Sequence, residues 1–130
     1  MMDWNALLEA AVAAQARAYA PYSRYHVGAA LVSGSGQVFT GCNVENISFG
    51  GTICAERTAI VTMVAAGERQ IGQLLVVTAD GGSPCGMCLQ VIAEFAGPNL
   101  EVALATPAGV GRILTLSDLL PHAFKTDTLG

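Results

Sequence analysis

Lysine is nearly missing from this chain of 130 residues: Lys125 is the only one, and Lys and Arg together number 6 against 10 Asp and Glu. A net charge of -4 leaves no basic stripe to neutralise a phosphate backbone, which disfavours nucleic-acid binding and tight recognition of phosphorylated substrates. Long apolar runs are missing too. None approaches the ~20 residues that a membrane span needs. The start, Met1-Met2-Asp3-Trp4-Asn5, has no positive region leading into an apolar stretch, as a secretory signal would. No membrane association is expected, and the chain reads as cytoplasmic.

Charge of either sign is scarce, at 12%, while 52% of the residues are apolar. That excess over ordinary surface needs implies apolar area buried between subunits, so an oligomer is expected. The length fits one domain over residues 1–130, large enough for a core without staples. There is no internal repeat and no low-complexity segment. Without a secretory signal, the four cysteines read as reduced thiols and a metal site, not as two disulfides. Cys42 is the one left over, expected as a small buried hydrophobe at a strand end.

Apolar spacing from Trp4 through Leu7, Leu8, Ala11 and Val12 to Tyr19 predicts a first helix over 4–19, stopped by Pro21. Val27–Ser33 and Gln37–Val44 read as a hairpin around Gly34-Ser35-Gly36. In its second strand Asn43 and Glu45 are two apart, so their side chains emerge together. Thr52 is a reasonable cap for a second helix that carries Cys54, Glu56, Ile60 and Met63 and ends near Gly67. Leu74–Ala79 is an apolar run but for Thr78, as in a strand covered on both faces. A third helix runs from Cys85 to Gly97-Pro98, and a fourth strand (Leu100–Ala105), a fifth (Arg112–Leu116) and a helical turn at Ser117–Leu120 follow. The sum is an α/β fold of three layers, α/β/α, with a mixed five-stranded sheet. Parallel crossovers would set the starts of the second and third helices side by side at one edge of that sheet, where open α/β sheets bind ligands.

Those two starts carry Cys54-Ala55-Glu56-Arg57 and Pro84-Cys85-Gly86-Met87-Cys88. Cys54, Cys85 and Cys88 fill three positions of a tetrahedral zinc, and a catalytic zinc keeps the fourth open to water. Such water becomes acidic, with a pKa near ~7 in favourable sites, and Glu56 stands ready to collect its proton. Three thiolates leave the cluster negative, which weakens the metal as a Lewis acid. Helix dipoles at both cysteine sites, and Arg57 three positions after Cys54, would compensate. The pattern of a His or Cys, then x-Glu, then Pro-Cys-x-x-Cys is recognised as that of zinc-dependent nucleobase deaminases.

Further stretches narrow the likeness. Tyr19-Ala20-Pro21-Tyr22-Ser23, Val27-Gly28-Ala29-Ala30-Leu31, Gly41-Cys42-Asn43-Val44-Glu45-Asn46, Cys54–Ala59, Ser83–Gly86 and Leu119-Leu120-Pro121 together resemble the small homotetrameric zinc-dependent cytidine deaminases, from about residue 19 to 124. The resemblance implies hydrolysis of cytidine and 2'-deoxycytidine to uridine and 2'-deoxyuridine with release of ammonia, in pyrimidine salvage. It implies Zn2+ on Cys54, Cys85 and Cys88, with Glu56 as proton shuttle and Arg57 as donor to the thiolates. Asn43 and Glu45 would bind the ribose hydroxyls, Phe124 would lie near the base, and Tyr25 and Ala55 would complete the substrate contacts. It also implies a homotetramer whose subunits complete each other's pockets.

Three departures stand out. Leu89 replaces an Arg that the family commonly has, which removes a positive charge and puts more weight on Arg57. Gly51 is smaller than usual, after Phe49 where Tyr is frequent; it either opens space for N4-substituted cytidines or only changes loop packing. Tyr25 stands where Phe is usual, and its hydroxyl needs a partner if buried. The alternatives are a deaminase of another aminated heterocycle such as blasticidin S, and a zinc or redox module without turnover. The Arg57-Thr58-Ala59 continuation favours cytidine. His26 reads as a surface strand residue, and His122 and the tail from Lys125 to Gly130 read as solvated.

Overall fold

The computed structural model describes residues 1–124; the tail expected to be solvated, 125–130, lies outside the described residues. Elements run α1 (Trp4–Gln15), β1 (Gly28–Ser33), β2 (Val38–Cys42), a 3-10 turn at Phe49–Gly51, α2 (Ala55–Ala65), β3 (Ile71–Val77), α3 (Gly86–Glu94), β4 (Glu101–Thr106), β5 (Gly109–Thr115) and α4 (Leu116–Leu119). The strands form one mixed sheet in the order β2-β1-β3-β4-β5. β1 is antiparallel to both β2 and β3, and β3 is parallel to β4. β2, β3 and β4 therefore point the same way, with α2 and α3 as the crossovers between them. Both helices start where a parallel strand ends, so their first turns share one edge of the sheet.

Alternation along the strands builds the three layers. Ala29, Leu31, Leu74, Val76, Val102 and Leu104 face α2 and α3, where Ile60, Met63, Leu89 and Ile92 pack on them. Their neighbours Ala30, Val32, Leu75, Val77, Ala103 and Ala105 face α1 through Leu7 and Ala11. A side-chain period of two, with cover on both sides, is why Ala29–Val32 of β1 and Leu74–Val77 of β3 are apolar at successive positions. The buried Gln73 on β3 is satisfied by the chain start: it accepts from Met2 N at 3.1 Å and donates to Met2 O at 2.9 Å.

The sheet and α2 approach closely at Gly41. A Cβ there would lie 2.5 Å from Ala59 N and 2.6 Å from Ala55 O, backbone that cannot yield without moving the helix. Gly41→Ala should therefore cost about 3 kcal/mol or more by overpacking and displace the turn that holds Cys54 and Glu56. Urea unfolding together with zinc content of the purified variant checks both effects, and unchanged values in both would refute the contact.

Several boundaries differ from the sequence expectation. The first helix ends at Gln15, not Tyr19, because Tyr19 pairs with the chain beyond β2: its N–H donates to Asn43 O at 3.0 Å and its O accepts from Glu45 N at 2.8 Å. The second hairpin strand stops at Cys42, and Val44 makes only isolated bridges with Tyr19 and Ile53. The last helix starts at Leu116, with Thr115 as its cap in a reciprocal pairing with Asp118. His26 and His122 are both exposed, and His26 precedes β1 without joining it.

Candidate metal centre and its surroundings

Cys54 and Cys85 are the N-cap residues of α2 and α3, each with extended backbone. Thr52, the expected cap, lies outside the helix, and its hydroxyl accepts from Asn46 N instead. Neither cysteine sulfur caps its own helix, although each backbone carbonyl accepts a helical N–H, from Thr58 and Leu89. The sulfurs are thus free to turn toward each other. Cys88, one turn into α3, is fully buried, Cys54 is half-buried and Cys85 is exposed.

The sulfurs of Cys54, Cys85 and Cys88 all lie within 4.8 Å of one another, and those of Cys54 and Cys85 are 4.0 Å apart. Two sulfurs about 2.3 Å from a tetrahedral zinc stand roughly 3.8 Å apart, so the donor set and its spacing fit that metal. A disulfide, at about 2.05 Å, is excluded by the same distance. Cys42 stays out of the cluster. It is half-buried, not buried as expected, because it ends β2 at a shallow groove beside Ala14 and Arg17.

Charge is arranged as a thiolate cluster requires. Arg57 directs a guanidinium nitrogen at Cys54 Sγ, at 3.5 Å, and at Thr52 O, at 3.4 Å. Its Nε is buried without a hydrogen-bond partner among the described residues, a cost of about 1–3 kcal/mol. Such a cation is retained where it faces negative charge. The Cys88 thiol, and after it Arg57, draws the Cys54 pKa down to about 5. Cys88 is pushed up, first by its hydrogen bond to Cys54 and then by burial. With zinc bound, all three sulfurs would be held as thiolates, because a coordinating thiol is deprotonated outright. Leu89, in place of the family's usual Arg, is buried in the core against α2 and the sheet. Arg57 is accordingly the cation that the described residues set against the sulfurs.

Glu56 occupies the first turn of α2, with 3% of its surface exposed. Burial, and then the charge of Cys54, raises its pKa to about 7. Ala55, beside it, is buried. A carboxyl held this close to neutrality, next to a metal site, has the acidity that proton transfer in both directions requires.

Asn43 and Glu45 lie just past β2, and both reach the segment before β1, as their expected common direction requires. Asn43 is buried; its Oδ1 accepts from Val27 N at 2.9 Å and its Nδ2 donates to Tyr25 O at 2.8 Å. Glu45 accepts from Tyr22 N at 2.9 Å and Ser23 N at 3.1 Å, and from the Ser23 hydroxyl, which holds its pKa below the usual carboxylate range. Asn43→Ala breaks two buried bonds and should lower stability by about 2 kcal/mol while the protein stays folded. Urea unfolding measures this, and an unshifted midpoint would mean that water replaces the amide without loss.

The Tyr25 hydroxyl has the partner it needs, Asp80 Oδ1 at 2.7 Å. At Gly51 an added Cβ would meet Asn46 at an ordinary 3.6 Å, so no close approach demands glycine there. Phe124 has an exposed ring, but its backbone is clamped by Gln90, whose Nε2 donates to Phe124 O at 2.9 Å and whose Oε1 accepts from Phe124 N at 3.3 Å. Gln90, Ser23 and Asp80 are not among the site residues that the sequence singles out. Gln90, two residues after Cys88, was the one with a positional signal.

Known proteins resemble this chain in sequence and fold. Residues 1–104 match the family model described as the cytidine and deoxycytidylate deaminase zinc-binding region. A cytidine deaminase of Sporosarcina psychrophila is 42% identical over 130 residues, covering 98% of this chain and 96% of its own. One of Mycobacterium tuberculosis is 43% identical, with coverages of 98% and 94%. Among solved structures, cytidine deaminase from Burkholderia pseudomallei superposes with a TM-score of 0.89 at 50% identity, covering 95% of this chain and all of that one. The Mycobacterium tuberculosis enzyme does so with 0.82 at 42%, covering 96% of this chain and 99% of that one. The cysteine cluster at paired helix starts, the mixed sheet beneath it and these full-length likenesses lead to one statement: the chain belongs to the zinc-dependent cytidine deaminase family.

Proposed function

We propose that this protein hydrolyses cytidine and 2'-deoxycytidine to the corresponding uridines, releasing ammonia, as a single cytidine deaminase-like domain over residues 1–130. The observation that carries this reading is the convergence of three sulfurs from two helix starts beside the buried Glu56. Cys54, Cys85 and Cys88 would hold zinc, which supplies a water acidic enough to react at neutral pH. Glu56 takes up the proton of that water and delivers it to N3 of the pyrimidine as oxygen bonds to C4. Glu56 then carries the second proton to the amino group, the bond from C4 to nitrogen breaks, and ammonia leaves. Arg57 offsets the excess negative charge of the thiolates throughout.

Asn43 and Glu45 hold the ribose hydroxyls. Glu45 keeps acceptor capacity beyond its bonds to Tyr22 and Ser23, and its charge repels a 5'-phosphate, which favours the free nucleoside. Ala55, Tyr25 and Phe124 complete the contacts to the substrate. Exposed Ile47, Phe49, Val61 and Met87, together with the clamped Phe124, support a homotetramer whose subunits share their pockets; a mass measurement in solution tests it. The free cysteines suit a reducing compartment, the cytoplasm. No helix among the described residues is long and apolar enough to cross a membrane.

Purified, zinc-loaded protein mixed with cytidine or deoxycytidine should shift the ultraviolet absorbance of the base and release ammonia in equal amount. Absence of turnover on both, and on their close analogues, would overturn the proposal.

A further inference from the structure

Between α1 and β1 the chain passes through Tyr22, Ser23, Arg24 and Tyr25, with Arg24 at a φ of 59°, a left-handed conformation that a non-glycine residue adopts only when its surroundings impose it. Two carboxylates from distant parts of the chain bond to the residues on either side of it. Glu45 accepts from Tyr22 N, Ser23 N and the Ser23 hydroxyl, whose oxygen in turn accepts from Tyr25 N at 3.0 Å. On the other side Tyr25 donates its hydroxyl to Asp80 Oδ1 at 2.7 Å.

Asp80 is the hub of the turn that leads from β3 to Cys85. The same Oδ1 accepts from the Thr78 hydroxyl at 3.2 Å and Gly82 N at 3.1 Å, while Thr78 Oγ1 accepts from Gly81 N at 2.8 Å and Gly82 N at 3.0 Å. Asn43 locks the segment from below through Tyr25 O and Val27 N. One short segment is thus bonded to Glu45 at one end and, at the other, to the loop that delivers a metal ligand. Phe, usual at this position in the family, could not make the second bond. Burial, and then Asp80, raises the Tyr25 pKa, so its hydroxyl remains a donor at neutral pH.

We propose that Tyr25 is a positioning residue in this protein: its hydroxyl, bound to Asp80, fixes the distance between the carboxylate that binds the sugar and the cysteines that hold the metal. The proposal rests on the deaminase reading above. Glu45, an ionised acceptor, suits the 3'-hydroxyl, so loosening the tie displaces it relative to the reacting base and weakens binding through that hydroxyl more than it slows the chemistry.

The test uses the full-length, zinc-loaded protein as wild type, Tyr25→Phe, Asp80→Ala, Asp80→Asn and the double variant Tyr25→Phe/Asp80→Ala. Tyr25→Phe should raise KM for cytidine about 5-fold, with kcat lowered less than about twofold and zinc content unchanged. In the Asp80→Ala background the same change should add nothing, because the bond is already gone. Asp80→Asn keeps an acceptor oxygen and should stay within about twofold of wild type. With 2',3'-dideoxycytidine, which lacks the 3'-hydroxyl, Tyr25→Phe should raise KM less than about twofold. Equal rises for both nucleosides, an unchanged KM for cytidine, or additive losses in the double variant would each overturn the proposal. Hydrogen exchange reads the tie without turnover: Tyr25→Phe should speed the amides of Ser23 and Gly82 together. That joint change would uphold the tie even if the wild type deaminates neither nucleoside, a result that would end the functional reading alone. Acceleration of one amide without the other would overturn the tie itself.

Discussion

Glu56→Gln should yield a folded protein that holds its zinc and deaminates cytidine at least about 1000-fold more slowly, since positioned acid–base groups contribute about 100- to 10,000-fold. The amide keeps the volume of the side chain, so the buried space at the start of α2 is neither emptied nor overfilled. It cannot accept the proton of the reacting water or return one to the pyrimidine. Because the carboxyl is buried, little bulk water can take over as carrier, which is why the loss should fall near the upper part of that range. Steady-state kinetics beside zinc analysis and a thermal melt separate the effects. Turnover within tenfold of wild type would remove Glu56 from the mechanism, and loss of zinc would show that it acts through the metal ligands instead.

Cys85→Ala should abolish zinc retention and, with it, activity. Cys85 is the exposed member of the cluster, so its removal opens no cavity and leaves the packing of α3 through Leu89 and Ile92 unchanged. The sulfurs of Cys54 and Cys88 remain, one ligand short of a catalytic zinc site. A ligand that binds only the folded state adds RT ln(1 + [L]/Kd), about 4 kcal/mol when zinc stands at 1,000 times its Kd. A chelator should therefore lower the melting temperature of the wild type and leave that of Cys85→Ala unchanged. Zinc content in the variant equal to wild type would contradict its place in the site.

The site was easier to read than the elements that carry it. The spacing from Cys85 to Cys88 follows directly from helical geometry, since one turn brings that pair to a common side, whereas Cys54, two residues before Glu56, stands at the extended N-cap of α2. The details of the ends were not legible. The periodic run from Trp4 continues to Tyr19, yet α1 stops at Gln15, because two backbone bonds to Asn43 and Glu45 compete for Tyr19. Thr52 has the better capping chemistry, but the cap falls on Cys54, whose sulfur caps no backbone N–H of the helix. Asn43 and Glu45 were visible as a polar pair. That their partners would be Tyr22, Ser23, Tyr25 and Val27 was not, because those bonds join segments some twenty residues apart through an irregular loop.

By itself the sequence determined the donor chemistry, the carboxyl beside it, the layered α/β class and the family, because residue types, spacings and apolar periods are local properties. Only the tertiary structure decided that three sulfurs meet within 4.8 Å, that Glu56 is buried and that Tyr25 reaches Asp80. Each of those depends on parallel strands setting two helix starts side by side, on the glycine contact that seats α2 against β2 and on side chains closing across loops. The physical reason is that desolvation and charge proximity, which set the acidity of Cys54 and Glu56, act through space and leave no mark in the order of residues.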